Sequence, residues 1–96
     1  AGAPRSFTLE QNYPNPFNPS TKIRYAIRNQ GRVILKIYSL LGQEIRTLVD
    51  KEQNAGPHEI QWDGRNQAGV MMPSGVYFYQ IRAEGKVETK RMLFLK

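Results

Sequence analysis

Few side chains in this sequence could do chemistry, and their spacing decides which kind. The single histidine, His58, alternates with Ile60 and Trp62. An imidazole on such a strand packs within or beside an apolar face and is poorly placed as a general base. Ser6, Ser20, Ser39 and Ser74 carry hydroxyls, but none sits in a Gly-x-Ser-x-Gly elbow, the turn that exposes a nucleophilic serine. Glu59 and Asp63 read as sharing one face of that strand. A carboxylate pair hydrolyses glycosides only when held about 5–9 Å apart inside a sugar cleft, and 96 residues leave little room for a cleft. Cysteine is absent, which excludes disulfides, thiolate metal sites and cysteine catalysis. Asp63-Gly64-Arg65-Asn66-Gln67-Ala68-Gly69 sets oxygen ligands beside glycines, yet it lacks the spaced carboxylates and bidentate glutamate of a Ca²⁺ loop. It reads as an Asx turn. The expectation is a non-enzymatic chain with no catalytic residue, no metal and no cofactor.

The elements that position these residues alternate with a period of two. Ile23, Tyr25 and Ile27 interleave with Lys22, Arg24 and Arg28, and Val33, Leu35 and Ile37 repeat the pattern after a turn containing Gly31. Such alternation marks strands with one buried face, and the two runs read as a hairpin. Residues 44–49 form a shorter apolar run in which strand and helical turn are both open. Residues 58–62 read as a strand between the turn signals Ala55-Gly56-Pro57 and Asp63-Gly64. Residues 65–74 are polar, and Pro73 bars a central strand there. Strands follow over 75–83 and 87–95, joined by Gly85-Lys86, and a first strand is placed at 7–11. About seven short antiparallel strands with frequent turns predict an all-β, immunoglobulin-like β-sandwich. With no cysteine pair to pin the sheets, Trp62 and the Tyr77/Tyr79 cluster must fill its centre. Residues 1–6 read as a linker remnant cut from a longer chain, and 7–96 as the domain.

The apolar content of 40% is enough for one core, and the net charge is +6. Basic composition suits contact with nucleic acid, anionic lipid or glycan, or an acidic protein. Lys22, Arg24 and Arg28 line one strand face, and Arg32 and Lys36 could extend that stripe onto the partner strand. Stacking platforms for nucleic acid need aromatic rings on the same face, whereas Tyr25 falls on the opposite one, so no nucleic-acid partner is expected. Tyr13, Tyr38 and Tyr79 are candidates for stacking a sugar. No apolar run reaches the roughly 18 residues of a membrane-spanning helix, so no transmembrane segment is expected.

The most unusual stretch is Asn12-Tyr13-Pro14-Asn15-Pro16-Phe17-Asn18-Pro19-Ser20-Thr21. Its three prolines fix φ and remove donors, so it cannot be a paired central strand. Its asparagines can bond neighbouring backbone and replace ladder hydrogen bonds, and Tyr13 and Phe17 can anchor it to the sandwich edge. In the last strand Met92 and Phe94 share one face and Leu93 and Leu95 the other. A strand apolar on both faces is central, or is paired to a partner.

Phe7-x-Leu9-x-Gln11-Asn12-Tyr13-Pro14-Asn15-Pro16-Phe17-Asn18-Pro19-Ser20-Thr21-x-Ile23 closely resembles the opening of the type A C-terminal sorting domains of type IX secretion cargo. Later landmarks keep the family's order: Val33-x-Leu35-x-Ile37-Tyr38-x-x-x-Gly42-x-Glu44, Gly56-x-His58-x-x-x-Trp62-Asp63-Gly64, Ser74-Gly75-Val76-Tyr77 and Lys90-Arg91-Met92-Leu93-Phe94-Leu95-Lys96. The middle is also similar to the immunoglobulin-like domain of flagellar hook-capping proteins. The resemblance implies a delivery and anchoring signal at the end of exported proteins of Bacteroidota and related phyla. Its partners would be the type IX secretion machinery and a surface sortase, with anionic lipopolysaccharide reached through the cargo. Localisation would be secreted or at the cell surface, by way of the periplasm and outer membrane. The implied recognition residues are Pro14, Asn15, Pro16, Gly75, Val76, Tyr77, Lys90, Met92, Phe94 and Lys96, and a chain ending just past its last strand suits a C-terminal address. The alternative reading is a carbohydrate-binding or spacer module of an extracellular enzyme.

Overall fold

Alternation becomes burial in the computed structural model, which describes residues 7–96. The proposed linker at 1–6 lies outside the described residues. Seven strands form two antiparallel sheets: β1 (Thr8–Leu9), β2 (Thr21–Ile27) and β5 (Gly56–Trp62) in one, in the order β1-β2-β5. The second holds β3 (Gly31–Ser39), β4 (Glu44–Gln53), β6 (Gly75–Ala83) and β7 (Lys86–Phe94), in the order β4-β3-β6-β7. The inward positions of β2 (Ile23, Tyr25, Ile27), β3 (Val33, Leu35, Ile37) and β6 (Tyr77, Tyr79, Ile81) are all buried. Their outward neighbours are partly or fully exposed. The expected immunoglobulin-like sandwich is therefore the fold. No helix occurs among the described residues, so none is long and apolar enough to cross a membrane.

Three local readings change. β2 and β3 are not a hairpin, because the link between them crosses from one sheet to the other. Both arrangements bury the same alternate side chains, so periodicity alone could not separate them. β1 pairs only at Thr8 and Leu9 instead of running over 7–11. The chain at 44–49 belongs to a ten-residue strand. Register shifts opposite Leu35/Lys36 and Ile37/Tyr38 leave Leu48 and Ile45 as extra residues on β4. Each such bulge breaks the two-residue period, which spaces Ile45, Leu48 and Val49 as a helix would.

The closing strand β7 is an edge strand and not a central one. Its inner side chains Met92 and Phe94 are buried, whereas Leu95 is exposed. At that end of the sandwich the core is aromatic. Phe17 stacks on Phe94 with centroids 4.8 Å apart, and Trp62 packs against Phe17 at 5.6 Å and Tyr77 at 5.4 Å. The Trp62 indole N–H donates to the Arg65 carbonyl at 2.9 Å, so the ring is buried without an orphaned donor. Gly64 has φ +78°, and a Cβ there would lie 2.9 Å from the Phe94 ring.

Two stability changes follow. Trp62→Ala removes the ring on which Phe17, Tyr77 and Phe94 pack, and denaturant unfolding should register a loss of about 3–5 kcal/mol. Gly64→Ala combines a left-handed backbone with a clash against Phe94, and should cost roughly 2–5 kcal/mol in the same assay. A value below about 1 kcal/mol for either would contradict this packing.

Candidate functional site

A proline cannot donate to a sheet, so the segment Pro14–Pro19 needs other groups to hold it. Tyr79 supplies the first. Its ring is fully buried, its hydroxyl donates to the Glu10 carbonyl at 2.7 Å, and it accepts the Asn12 N–H at 2.9 Å. Asn12 is itself buried, and its side-chain amide donates to the Thr21 hydroxyl at 3.0 Å and to the Pro14 carbonyl at 3.2 Å. Thr21 Oγ1 in turn donates to the Pro14 carbonyl at 2.8 Å. Burial pushes the Tyr79 phenol up to about 12, so at neutral pH it keeps the proton it donates.

From Pro14 the chain runs along the free edge of β7. The Leu93 N–H donates to Asn15 Oδ1 at 2.9 Å, where a neighbouring strand would offer a carbonyl. Phe17 supplies the backbone part: its N–H donates to the Leu93 carbonyl at 3.1 Å, and its carbonyl accepts the Leu95 N–H at 3.0 Å. The Gln11 amide reaches the Arg91 carbonyl at 2.7 Å. One asparagine side chain thus replaces a ladder bond, as the composition of the segment led one to expect. Phe17 is the anchor, buried to 1% exposure, while Tyr13 points outward at 78%. The expected anchoring by Tyr13 is not seen.

Between this segment and the outer face of β6 and β7 lies a shallow groove of about 320 Å³. Asn15, Pro16, Val76, Arg91, Met92 and Leu93 line it. Residues from three distant landmarks of the sequence thus meet at one place. Neighbouring concavities extend it, one along Pro14, Pro16, Phe17, Asn18 and Leu95, the other along the β3–β4 turn to Gly75, Val76 and Tyr77. Among the described lining residues of the central groove there is one cation and no carboxylate, hydroxyl or imidazole. Such a surface can bind by shape and apolar contact. It holds no pair for proton transfer.

The remaining candidate residues separate into inner and outer positions. Tyr77 is buried and its hydroxyl donates to the Pro73 carbonyl at 2.6 Å. Phe94 is buried beside it, and Gly75 opens β6 opposite Phe94. Lys90 pairs across from Tyr79, away from the groove lining, and the Lys96 N–H donates to Ser74 Oγ at 2.8 Å. Leu40, Leu41, Arg91 and Leu93 were not among the recognition residues implied by the sequence, although a leucine pair ahead of the turn glycine Gly42 was a visible signal.

Other candidates are absorbed by the structure. His58 Nε2 lies 2.7 Å from the Asn54 carbonyl and its ring stacks on Tyr25 at 5.4 Å. Glu59 binds Arg24 at 2.7 Å, and Asp63, lying past the end of β5, binds Arg46 at 2.8 Å. In the 63–69 loop Asn66 Oδ1 accepts the N–H groups of Ala68 and Val70, the expected Asx turn. The basic stripe does not continue from β2 to β3, since they lie in different sheets. Arg32 instead binds Asp50 at 2.6 Å and Lys36 binds Glu44 at 3.0 Å. Of the tyrosines considered for sugar stacking, Tyr79 is buried and so unavailable.

The clamp has a titration signature. Tyr79→Phe strands a buried N–H and a carbonyl, and should lower stability by about 1–3 kcal/mol near neutral pH. The native phenol resists ionisation up to about 12, while the unfolded one ionises near 10. The stabilisation is therefore complete below pH 10 and falls as pH rises towards 12. Denaturant unfolding across that range should show a steeper alkaline loss for the native chain than for the variant. Equal slopes would place Tyr79 outside the core.

Comparison with known proteins bears on this arrangement. The family model described as FlgD Ig-like domain matches residues 20–86, more than half of the chain. No curated protein matches. Among solved structures, dimeric latent PorU from Porphyromonas gingivalis is similar at TM-score 0.71 and 24% identity, over 97% of this chain and 10% of that one. FlgD from P. aeruginosa is similar at TM-score 0.57 and 23% identity, covering 77% of this chain and 59% of that one. PorZ, an essential bacterial surface component of the type IX secretion system of P. gingivalis, is similar at TM-score 0.57 and 23% identity. There the match covers 94% of this chain and 11% of PorZ. At these identities the likeness is one of fold, and the chain spans about a tenth of PorU and PorZ.

Proposed function

The chain belongs to the FlgD Ig-like domain family, and from that premise we propose that it is a non-catalytic recognition module, the C-terminal secretion and surface-attachment signal of a larger exported protein. The type IX secretion machinery would be its reader, at the outer membrane after passage through the periplasm. A surface sortase would be its second partner and anionic lipopolysaccharide would enter only through the cargo, leaving the protein secreted or at the cell surface. The observation that carries this reading is the convergence of Asn15-Pro16, Val76 and the Arg91–Leu93 stretch of β7 on one groove. These three segments are the landmarks that the sorting-domain resemblance marks as the address. Fold likeness to PorZ, a type IX surface component, agrees with it.

The groove also refines the test. Truncating residues 92–96 would remove the buried Met92 and Phe94 and unfold the domain, so export must be probed through outward groups. Fused behind a periplasmic reporter in a type IX-competent host, residues 1–96 should export it. Replacing Pro14 and Pro16 with Ala frees two φ angles and adds two donors at the β7 edge, for a stability loss of about 1–2 kcal/mol. Export should then fall further than in Ile27→Val, a core change of about 0.5–1.5 kcal/mol. Equal export from both would mean the segment serves only the fold. Retention of the chain on a polysaccharide affinity gel, with no export, would favour a sugar-binding module instead.

A further inference from the structure

The large apolar side chains left exposed are not spread over the surface. Among the described residues they are Tyr13, Leu40, Leu41, Val70, Val87 and Leu95. All but Val87 gather at one end of the sandwich. Tyr13 bridges to Lys22 at the start of β2, Leu40 and Leu41 tip the β3–β4 turn, Val70 lies in the link from β5 to β6, and Leu95 follows β7. The N-terminal side enters near the other end, where Thr8 pairs with Ala26 close to the end of β2. The turn explains why Leu40 and Leu41 project: Gly42 takes φ +87°, the Ser39 N–H donates to the Gln43 carbonyl at 2.8 Å, and the Gly42 N–H returns to Ser39 at 2.9 Å. It does not explain why the two tip residues are leucine, at 63% and 95% exposure, where polar turn-formers would cost nothing. Exposed apolar groups gathered at one end in this way mark interaction surfaces.

Resting on the recognition reading above, we infer that this tip and the groove beside it form one continuous docking surface for a protein partner that presents apolar side chains flanked by carboxylates. The leucine tip borders the concavity that contains Val76, and Val76 also lines the groove held by Pro16 and Leu93. Raised leucines next to a recess complement a partner with relief of its own, whereas a bilayer meets only what protrudes. Charge selects the partner further. The carboxylates at this end are already held, Glu44 by Lys36 and Asp63 by Arg46. Arg91, on the groove wall, has no ion pair among the described residues. The surplus is positive, so an acidic rim fits it.

The test is the reporter fusion carrying Leu40→Ser with Leu41→Ser, beside Val87→Ser at the opposite end. Export of the tip variant should fall by roughly tenfold or more at an unchanged melting temperature, with Val87→Ser unaffected. Leu41→Ser alone, at the most exposed position, serves if the pair lowers the melting temperature. Sedimentation with vesicles of mixed phosphatidylcholine and phosphatidylglycerol tests the bilayer. Binding that the tip variant loses would make lipid the occupant and overturn the inference. Export unchanged by the tip substitutions would also overturn it, while leaving the recognition reading intact. If the unaltered fusion is not exported, that reading fails and this inference falls with it.

Discussion

The hydroxyl of Tyr79 is the contact on which the arrangement at the β7 edge depends. β6 belongs to one sheet and the 10–12 stretch leaves β1 in the other, so the bonds to Glu10 and Asn12 tie the two layers together in a chain without disulfides. Everything downstream inherits that position. Asn12 is fixed through its own N–H, so its amide can hold Thr21 and the Pro14 carbonyl, and the prolines then carry the chain to where Asn15 meets Leu93. Such a buried polar network stabilises only when every member is satisfied, because in low dielectric an unpaired group is costly. Here the phenol both donates and accepts.

Legibility followed the chemistry of each element. The core-facing residues of β2, β3 and β6 were readable because one-sided burial imposes a period of two, and Trp62 fell on the right face for that reason. β4 was ambiguous because two bulges erase the period. The β2–β3 link was misread as a hairpin because alternation reports which side chains are buried and says nothing about which strand lies alongside. Tyr79 alternates with Tyr77 and Ile81 and so belonged to the core. Its role as a clamp needed a partner 67 residues away, which no local pattern contains. The asparagine-for-ladder exchange was legible in kind from the prolines, but its address on Leu93 was not.

The positive balance is only partly compensated by ion pairs among the described residues, which hold Lys22, Arg24, Arg32, Lys36, Arg46 and Arg65. Lys22 and Arg24 share Glu59, and hydrogen bonding to that carboxylate raises the Arg24 guanidinium and lowers Glu59 from their ordinary values. These pairs are well exposed, so each contributes little to stability. Their larger effect is to break what looked like a continuous basic stripe into separate, compensated patches on two sheets. Charge available to a partner is then set by the cations without a carboxylate beside them, and not by the net total of the chain.

β7 shows how one short strand can serve both the fold and its surface. Met92 and Phe94 point inward and lock into the aromatic cluster with Phe17 and Trp62, while Leu93 and Arg91 between and before them point to the groove. The two-residue period makes this division automatic, and Asn15 and Phe17 close the edge so that the outward residues cannot shift register against the proline segment. The outward residues are thereby held before any partner arrives, which reduces the ordering cost of association. The same coupling explains why truncation is a poor probe of the site. Any cut that removes the outward row also removes its inward anchors, so only substitutions confined to the outer parity separate recognition from folding.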